Sequence, residues 1–539
     1  MQAVILAGGK GTRLAERLAG KPKPLVEVCG VPLLERQVRM LEAHGVDDVV
    51  VLVNHAADQI RDFFSANKFS AKVQIVDDGE PRGTAGAVLA CLDLLQPRSL
   101  IIYGDTLFDI DVSHMVAAHV AADAEATLLL HPNDHPADSD LVALDAEGFV
   151  SAFHAHPHPV DAYRRNLVNA AFYVVERKAL LRWQDIQVPS DFGHDLFPMM
   201  IEAGQRLLGY VSAEYIKDLG TPSRLDKVER HLLSGLVEGA SRRRPQRAVF
   251  IDRDGTLNQL AGHIATPEAI KLIPGTSAAL RRLNDIGART VLVTNQPVIA
   301  RGECDVETLD KIHGRLEALL SESGAYLDRI FVCPHHPDGG YSGEVATLKI
   351  ACDCRKPEPG MVEAAIAEVN IDRHRSWMVG DSSRDMGMAR RAGLLSMLVQ
   401  TGEGGRDGEA GDDFDVEVAD FAAAADFIVD RYPVLIREAA AYVANVRPGD
   451  ILLVDEAEAV GLAGVLRNEL QSSGKVAVTH MSGRKRGLEP SLADRLEAQD
   501  GPEADWIFIL NWPADAAPPN TRRRIQRIRL TDMIESLPS

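Results

Sequence analysis

The chain has 539 residues, 46% of them apolar and 25% charged, so it can bury several cores and is neither a disordered tail nor a fibrous repeat. Its 58 Lys and Arg against 78 Asp and Glu leave a formal charge of −20, which repels phosphodiester backbones and argues against nucleic acid as a partner. No apolar run reaches the roughly 20 residues of a membrane span, and no cationic segment precedes the short apolar start, so neither a membrane partner nor a secretory leader is expected.

At roughly 150 residues per domain, the length allows three or four domains, or two large ones with an appendage. The first segment, residues 1–237, opens with an apolar strand, Ala3–Ala7, that runs into a glycine-rich turn. Leu33, Leu34, Val38 and Leu41 fall at helical spacing over Leu33–His44, Gly45 caps that helix, and Asp48–Val53 reads as a buried strand. Apolar strands joined by helical crossovers predict a mostly parallel α/β sheet. Residues 238–247 are polar and basic and contain Pro245, so they read as a linker. Its run Arg242–Arg244 with Arg247 reads as solvated charge, as does Arg522–Arg524 with Arg527 and Arg529.

Strand-helix alternation restarts over 248–431, with strands at Ala248–Ile251, Thr290–Thr294, Arg329–Val332, Ser376–Gly380 and Ser396–Val399. Glu403–Asp413 reads as a loop, and a helix over Asp420–Asp430 closes this second domain. Residues 432–539 form a small α/β module of unknown role, with strands at Ile451–Asp455, Lys475–His480, Trp506–Asn511 and Ile525–Leu530 and a helix at Glu456–Ser472. Acids follow its first strand where a phosphate loop would need Gly-Lys-Ser/Thr, which disfavours an ATP site there.

In the first segment, Gly8, Gly9 and Gly11 let backbone N–H groups approach an anion, and Arg13 adds a forked donor; a plain tight turn would also account for the glycines. Pro22-Lys23-Pro24, Gly83-Thr84-Ala-Gly86, Tyr103-Gly-Asp105, Asn169–Tyr173, Asp191–Asp195 and Asp218–Pro222 follow in order. This set resembles the sugar-1-phosphate nucleotidyltransferase family and implies its Rossmann-like fold. The resemblance implies that Gly8, Gly9, Gly11, Thr12 and Arg13 wrap a nucleoside triphosphate. Lys23 would neutralise charge as a sugar phosphate attacks the α-phosphorus, and Gly83, Thr84 and Gly86 would lie against the base. Asp105 and Asp218 would hold Mg²⁺, though a turn acid and a helix cap are their plainer readings. His194 and Asp195 stand open between sugar contact and helix capping.

In the second segment, Asp252-Arg-Asp254-Gly-Thr follows a strand, and two carboxylates at i and i+2 suit phosphoryl transfer through a nucleophile and an acid. With Thr294-Asn295, Lys356 and Gly380-Asp381-Ser-Ser-Arg-Asp385, this resembles the haloacid dehalogenase superfamily and implies a Rossmannoid fold. By that resemblance Asp252 is the nucleophile, Asp254 the general acid/base, and Thr294, Asn295 and Lys356 hold the phosphoryl group. Asp381 would ligate Mg²⁺ with Asp252 and the Asp254 carbonyl, with Asp385 either supporting the metal or structural. Cys333, His335, Cys352 and Cys354 match a closed tetrahedral Zn²⁺ site that pins a loop over 333–354, against buried thiols or a disulfide; His336 reads as a loop residue. Cys29, Cys91 and Cys304 read as packing residues, and the thiol usage points to a reducing cytoplasm.

The zinc loop with Cys-Asp-Cys-Arg-Lys-Pro resembles the D-glycero-D-manno-heptose-1,7-bisphosphate 7-phosphatases, with histidinol-phosphate phosphatases as relatives. Pro297-Val298 stands where that family usually has Ser-Gly. Arg301 and Arg355 are candidates for a second phosphate, against simple surface arginines. Dephosphorylation at C7 leaves a sugar 1-phosphate, the class of substrate that the first segment would use, and its Gly-Gly-x-Gly-Thr-Arg motif resembles the GTP-using heptose-1-phosphate enzymes. The expectation is therefore a bifunctional enzyme with nucleoside triphosphate and sugar phosphates as small-molecule partners; a homo-oligomer is open. The rival readings are a mannose or glucose 1-phosphate nucleotidyltransferase joined to a histidinol-phosphate-phosphatase-like enzyme, and a non-catalytic nucleotide-sugar sensor or scaffold.

Overall fold

A computed structural model describes residues 1–443 except 10, 19, 55, 160–161, 341 and 410–413, and beyond them 451–455, 465–466, 470, 478–481, 507–512 and 525–528. Contacts divide the chain into two compact units, Met1–Gln246 with Leu309–Asp328, and Arg247–Thr308 with Arg329–Ser539. Among the described residues no helix is long and apolar enough to cross a membrane.

In the first unit the strand Gln2–Leu6 pairs in parallel with Asp48–Val53 on one side and Arg98–Tyr103 on the other. The chain steps outward from Gln2–Leu6 to Asp48–Val53 and Lys72–Asp77, then crosses back through the helix Gly83–Leu89 to Arg98–Tyr103. Strand order thus reverses between Gln2–Leu6 and Arg98–Tyr103, the place where an open α/β sheet leaves a crevice at the carboxyl ends of its strands. The antiparallel strand Val168–Glu176 continues the sheet beyond Arg98–Tyr103. The helix Leu33–Ala43 ends with the Val46 N–H bonded to the Leu41 carbonyl at 3.0 Å. Its Leu34, Val38 and Leu41 pack with Val49, Val51 and Ile102 on one face of the sheet, while Val88, Tyr173 and Phe192 cluster with Val4 and Ile101 on the other.

The segment expected to be a linker is folded onto this unit. Buried Glu214 accepts the N–H groups of Asp111 at 3.0 Å and Arg242 at 2.9 Å, the Arg242 guanidinium meets the His114 ring, and Arg243 lies 3.7 Å from Asp109. A buried carboxylate needs donors, and Arg242 is drawn in to supply one from its backbone, while Arg243, Arg244 and Arg247 are exposed, as solvated charge would be. The second basic run, apart from Arg527, lies outside the described residues. Cys29 is exposed, which corrects its reading as a packing residue.

The second unit holds a six-stranded parallel sheet in the order Arg329–Cys333, Arg289–Asn295, Ala248–Ile251, Trp377–Gly380, Leu395–Val399, Val416–Val418. Chain order reverses about Ala248–Ile251, which places a second switch point there. The edge strand Val416–Val418 was not anticipated; three residues are too few to carry a period. Asp420 caps the helix Phe421–Asp426 by accepting the Ala423 N–H, but the helix does not stop at Asp430. A π-helical turn over Phe427–Arg431 leads into Tyr432–Val443, and the buried Tyr432 ring lies edge-on to Trp377 at 5.1 Å. The boundary expected at Tyr432 therefore falls inside a continuing helix that covers this sheet. Farther on, Val478–Met481, Ile507–Trp512, Ile451–Asp455 and Ile525–Ile528 form a four-stranded parallel sheet in that order. The helix expected over Glu456–Ser472 lies mostly outside the described residues.

Candidate active sites

The crevice of the first unit is a cavity of about 400 Å³. Gly8, Gly9, Gly11, Arg13, Lys23, Gly83, Thr84 and Asp105 all line it, as sequence expected. Lys23 donates to the Asp105 carboxylate at 2.5 Å. Asp218 reaches the same end of the site through a two-stranded ribbon: Tyr215–Asp218 pairs with Thr106–Asp109, Asp218 stands opposite Thr106, and the Leu219 N–H bonds the Asp105 carbonyl at 2.8 Å. Each of the two acids carries a cation, Lys23 for Asp105 and Arg224 at 2.5 Å for Asp218. Hard carboxylate oxygens at a turn (Asp105) and at the end of a strand beside it (Asp218), near a glycine-rich turn, are a donor set that fits a divalent cation and a polyphosphate.

Thr84 donates to Asp191 at 2.5 Å and accepts the Tyr103 hydroxyl at 3.0 Å, so the second glycine segment is tied to the strand end and to the Asp191 turn. Gly83 sits at φ +75°, and a Cβ there would lie 2.2 Å from the Ser190 carbonyl oxygen, so the approach of the two segments needs glycine. Gly86 is buried in the helix rather than at the cavity wall, where a Cβ would meet Val188. Asp195 is exposed and accepts the Asp191 N–H at 2.7 Å, the contact of a helix cap. His194 is exposed and faces Asp140 at 3.2 Å. Arg224 was not singled out from sequence; nothing in Thr-Pro-Ser-Arg marks it.

In the second unit, Asp252 and Asp381 follow, and Thr294-Asn295 form, the carboxyl ends of three adjacent strands, and they line one cavity of about 280 Å³ with Lys356 and Asp254. The Lys356 ammonium, 4% exposed, donates to Asp252 at 2.6 Å, to Asp385 at 2.7 Å and to the Val293 carbonyl at 3.2 Å. Ligand oxygens of Asp252, Asp381 and Asp385 lie within 4.8 Å of one another. Burial first, and the neighbouring carboxylates next, push Asp252 up to about 6 and Asp381 up to about 8, despite Lys356. So much negative charge against one ammonium leaves room for another cation, and a divalent metal fits.

Asp385 accepts Lys356 with one oxygen, while the other accepts the Ser382 N–H and hydroxyl at 3.1 and 2.7 Å. It thereby fastens the ammonium to a helix N-terminus. Asn295 clamps the Lys356 backbone, accepting its N–H at 3.0 Å and donating to its carbonyl at 3.2 Å. Its amide thereby places Lys356, and Asn295 also lines the cavity. Asp254 shows the opposite balance from its neighbours. Burial raises its pKa, but the Arg253 charge with hydrogen bonds from Arg253, Asn258 and Gln296 outweighs burial and holds the carboxyl below its ordinary value. Gln296 also donates to Thr294 at 2.8 Å. Arg253, 0% exposed, and Gln296 were missed; the one available signal was an arginine between two acids.

Four donors gather beside this cavity. Cys354 Sγ lies 3.2 Å from Cys352, 3.3 Å from Cys333 and 3.3 Å from His335 Nδ1, and Cys333 lies 3.6 Å from Cys352. A disulfide sulfur pair is about 2 Å apart, so these are separate thiols; separations of this size suit the edges of a tetrahedral metal site. Without a metal, burial pushes the Cys333 thiol up to about 11.

Residues 353–431 match the HAD-hydrolase-like family model, and residues 2–235 match the nucleotidyl transferase model. The D-glycero-D-manno-heptose-1,7-bisphosphate 7-phosphatase of Thermosynechococcus vestitus is 44% identical over 165 residues, covering 30% of this chain and 83% of that protein. The chain belongs to the heptose-bisphosphate phosphatase family. Its counterpart in Yersinia pestis is 42% identical over 157 residues, 29% of this chain and 81% of that protein. Among solved structures, the Bordetella bronchiseptica D,D-heptose 1,7-bisphosphate phosphatase with magnesium and phosphate is 35% identical and spans 34% of this chain and 98% of its own, at a TM-score of 0.30. HddC from Yersinia pseudotuberculosis is 24% identical and spans 43% of this chain and 99% of its own, at a TM-score of 0.38. This phosphatase-family chain is thus an enzyme that also carries a nucleotidyltransferase domain, and its substrates are small sugar-phosphate and nucleotide molecules.

Proposed function

We propose that the second unit removes the 7-phosphate of D-glycero-D-manno-heptose 1,7-bisphosphate and that the first unit transfers a nucleotidyl group, GMP from GTP, to the resulting heptose 1-phosphate. The observation that carries the first step is the buried Lys356 ammonium between Asp252 and Asp385, beside Asp381. In that step the negative charge of the bound phosphate raises the proton affinity of Asp254, which takes up a proton from solvent; an Asp252 oxygen then attacks phosphorus, the bond to the C7 oxygen breaks, and Asp254 gives that oxygen its proton. Asp254 then takes a proton from the water that hydrolyses the aspartyl-phosphate, releasing phosphate and restoring Asp252. Arg253, Asn258 and Gln296 hold the Asp254 carboxyl in one orientation for both transfers. Lys356 and Thr294 hold the phosphoryl oxygens, and Arg301 and Arg355 on the cavity wall meet the second phosphate.

Asp252, Asp381 and the Asp254 carbonyl would hold Mg²⁺, which neutralises charge on the phosphoryl oxygens when bound. Cys333, His335, Cys352 and Cys354 would hold Zn²⁺ as a closed structural site. Free thiols suit a reducing cytoplasm. In the first unit an oxygen of heptose 1-phosphate attacks the α-phosphorus of the triphosphate and pyrophosphate leaves. Arg13, Lys23 and the N–H groups of Gly8, Gly9 and Gly11 would balance the charge of two anions meeting, with Mg²⁺ at Asp105 and Asp218. The choice of GTP rests on the glycine-motif resemblance. Heptose bisphosphate with GTP should give phosphate, pyrophosphate and a GDP-heptose. Asp252→Asn should abolish phosphate release while heptose 1-phosphate is still converted; unchanged phosphate release would refute the nucleophile.

A further inference from the structure

The cavity of the second unit is lined by more cationic charge than one reacting phosphate needs. Beyond Lys356 it carries Arg301, Arg355 and Arg384. Arg301 Nη1 meets His263 Nε2 at 2.6 Å, and Arg355 donates to the His335 carbonyl at 3.2 Å. Arg384 is held by two acids. Its Nη1 donates to the Glu409 carboxylate at 2.9 Å, and its Nε lies 3.9 Å from Asp407.

These two acids are held very differently. Asp407 is 5% exposed and accepts both the N–H and the hydroxyl of Ser383, at 2.8 and 2.9 Å, so it is a fixed guide for the guanidinium. Glu409 is 58% exposed, and what pairs it with Arg384 is an ion pair in contact with solvent. Such pairs contribute about 0–1 kcal/mol, so a stronger anion displaces the carboxylate at little cost. A phosphate dianion is that anion, because a guanidinium fork meets two of its oxygens at once.

We infer that Arg384 is a specificity-determining residue that binds the second phosphate of a sugar bisphosphate, and that Glu409 occupies its fork until the substrate arrives. This rests on the bisphosphate reading of the same cavity. It adds a guanidinium that the motif comparison does not supply, and it explains why an acid stands on the wall of an anion site. Asp407 keeps Arg384 aimed while Glu409 swings out.

The test is steady-state phosphate release by the full chain with heptose 1,7-bisphosphate and with heptose 7-phosphate, read as the ratio of the two kcat/KM values. Arg384→Gln should lower that ratio about tenfold, mainly through KM for the bisphosphate. Glu409→Gln should raise it by roughly two- to fivefold, the size of an exposed pair. In the Arg384→Gln background, Glu409→Gln should then have no effect, since the two act on one contact. A wild-type enzyme without preference for the bisphosphate would overturn the bisphosphate reading and this inference together. A wild-type preference that survives Arg384→Gln, or a Glu409→Gln gain that persists without Arg384, would overturn this inference alone.

Discussion

Replacing Lys356 with Met keeps the aliphatic stem and removes one charge, and the structure sets the size of the consequence. The lost ammonium is 4% exposed and satisfies Asp252, Asp385 and the Val293 carbonyl. Removing one partner of a buried ion pair leaves an uncompensated charge and costs about 3–5 kcal/mol. At about 2–4 °C per kcal/mol for a domain of this size, the unit's melting temperature should fall by roughly 6–20 °C near neutral pH. Phosphate release should fall by about 10²-fold or more, because a preorganised donor to the phosphoryl group is gone as well. Part of the thermal loss should return with millimolar Mg²⁺, since Asp252 and Asp381 would then share a different cation. Calorimetry and a colorimetric phosphate assay read both effects. A variant that melts within 2 °C of the parent (a difference of less than about 1 kcal/mol) and keeps its rate would refute the electrostatic account of this cluster.

Stability without Mg²⁺ should fall as pH rises. Asp252 at about 6 and Asp381 at about 8 hold protons that an unfolded chain, with ordinary carboxyls, has released, so the folded state loses ground between about pH 4 and 8. The melting-temperature gain on adding Mg²⁺ should therefore be larger at pH 8 than at pH 5; equal gains would contradict it. Gly402→Ala should stop phosphate release and spare nucleotidyl transfer, because Gly402 sits at φ +57° and a Cβ would lie 1.9 Å from an Asp381 oxygen. An active Gly402→Ala enzyme would mean that the loop does not set the Asp381 position. Metal analysis should find about one zinc per wild-type chain and much less in Cys354→Ser, with a lower melting temperature; equal zinc in both would remove Cys354 from the ligand set. Lys23→Met should lower pyrophosphate release by about 10²-fold while phosphate release from the bisphosphate continues; loss of both would tie Lys23 to more than the first cavity.

The sequence by itself determined what is local. Runs such as Asp48–Val53 and Ala248–Ile251 form strands at the predicted residues because an apolar β-rich run can bury only as a central strand. The Cys-x-His and Cys-x-Cys pairs read as one site because soft donors at that spacing have few other uses. Tertiary structure alone decided the partners. Lys356 meets Asp252 across 104 positions and Gln296 meets Asp254 across 42, while Arg242, counted as free charge, finds His114 across 128. Neither propensity nor period encodes such pairs, because the energy of a buried charge depends on which groups the fold brings within hydrogen-bond reach. For the same reason Asp252 and Asp254, two residues apart on one turn, have pKa values moved in opposite directions.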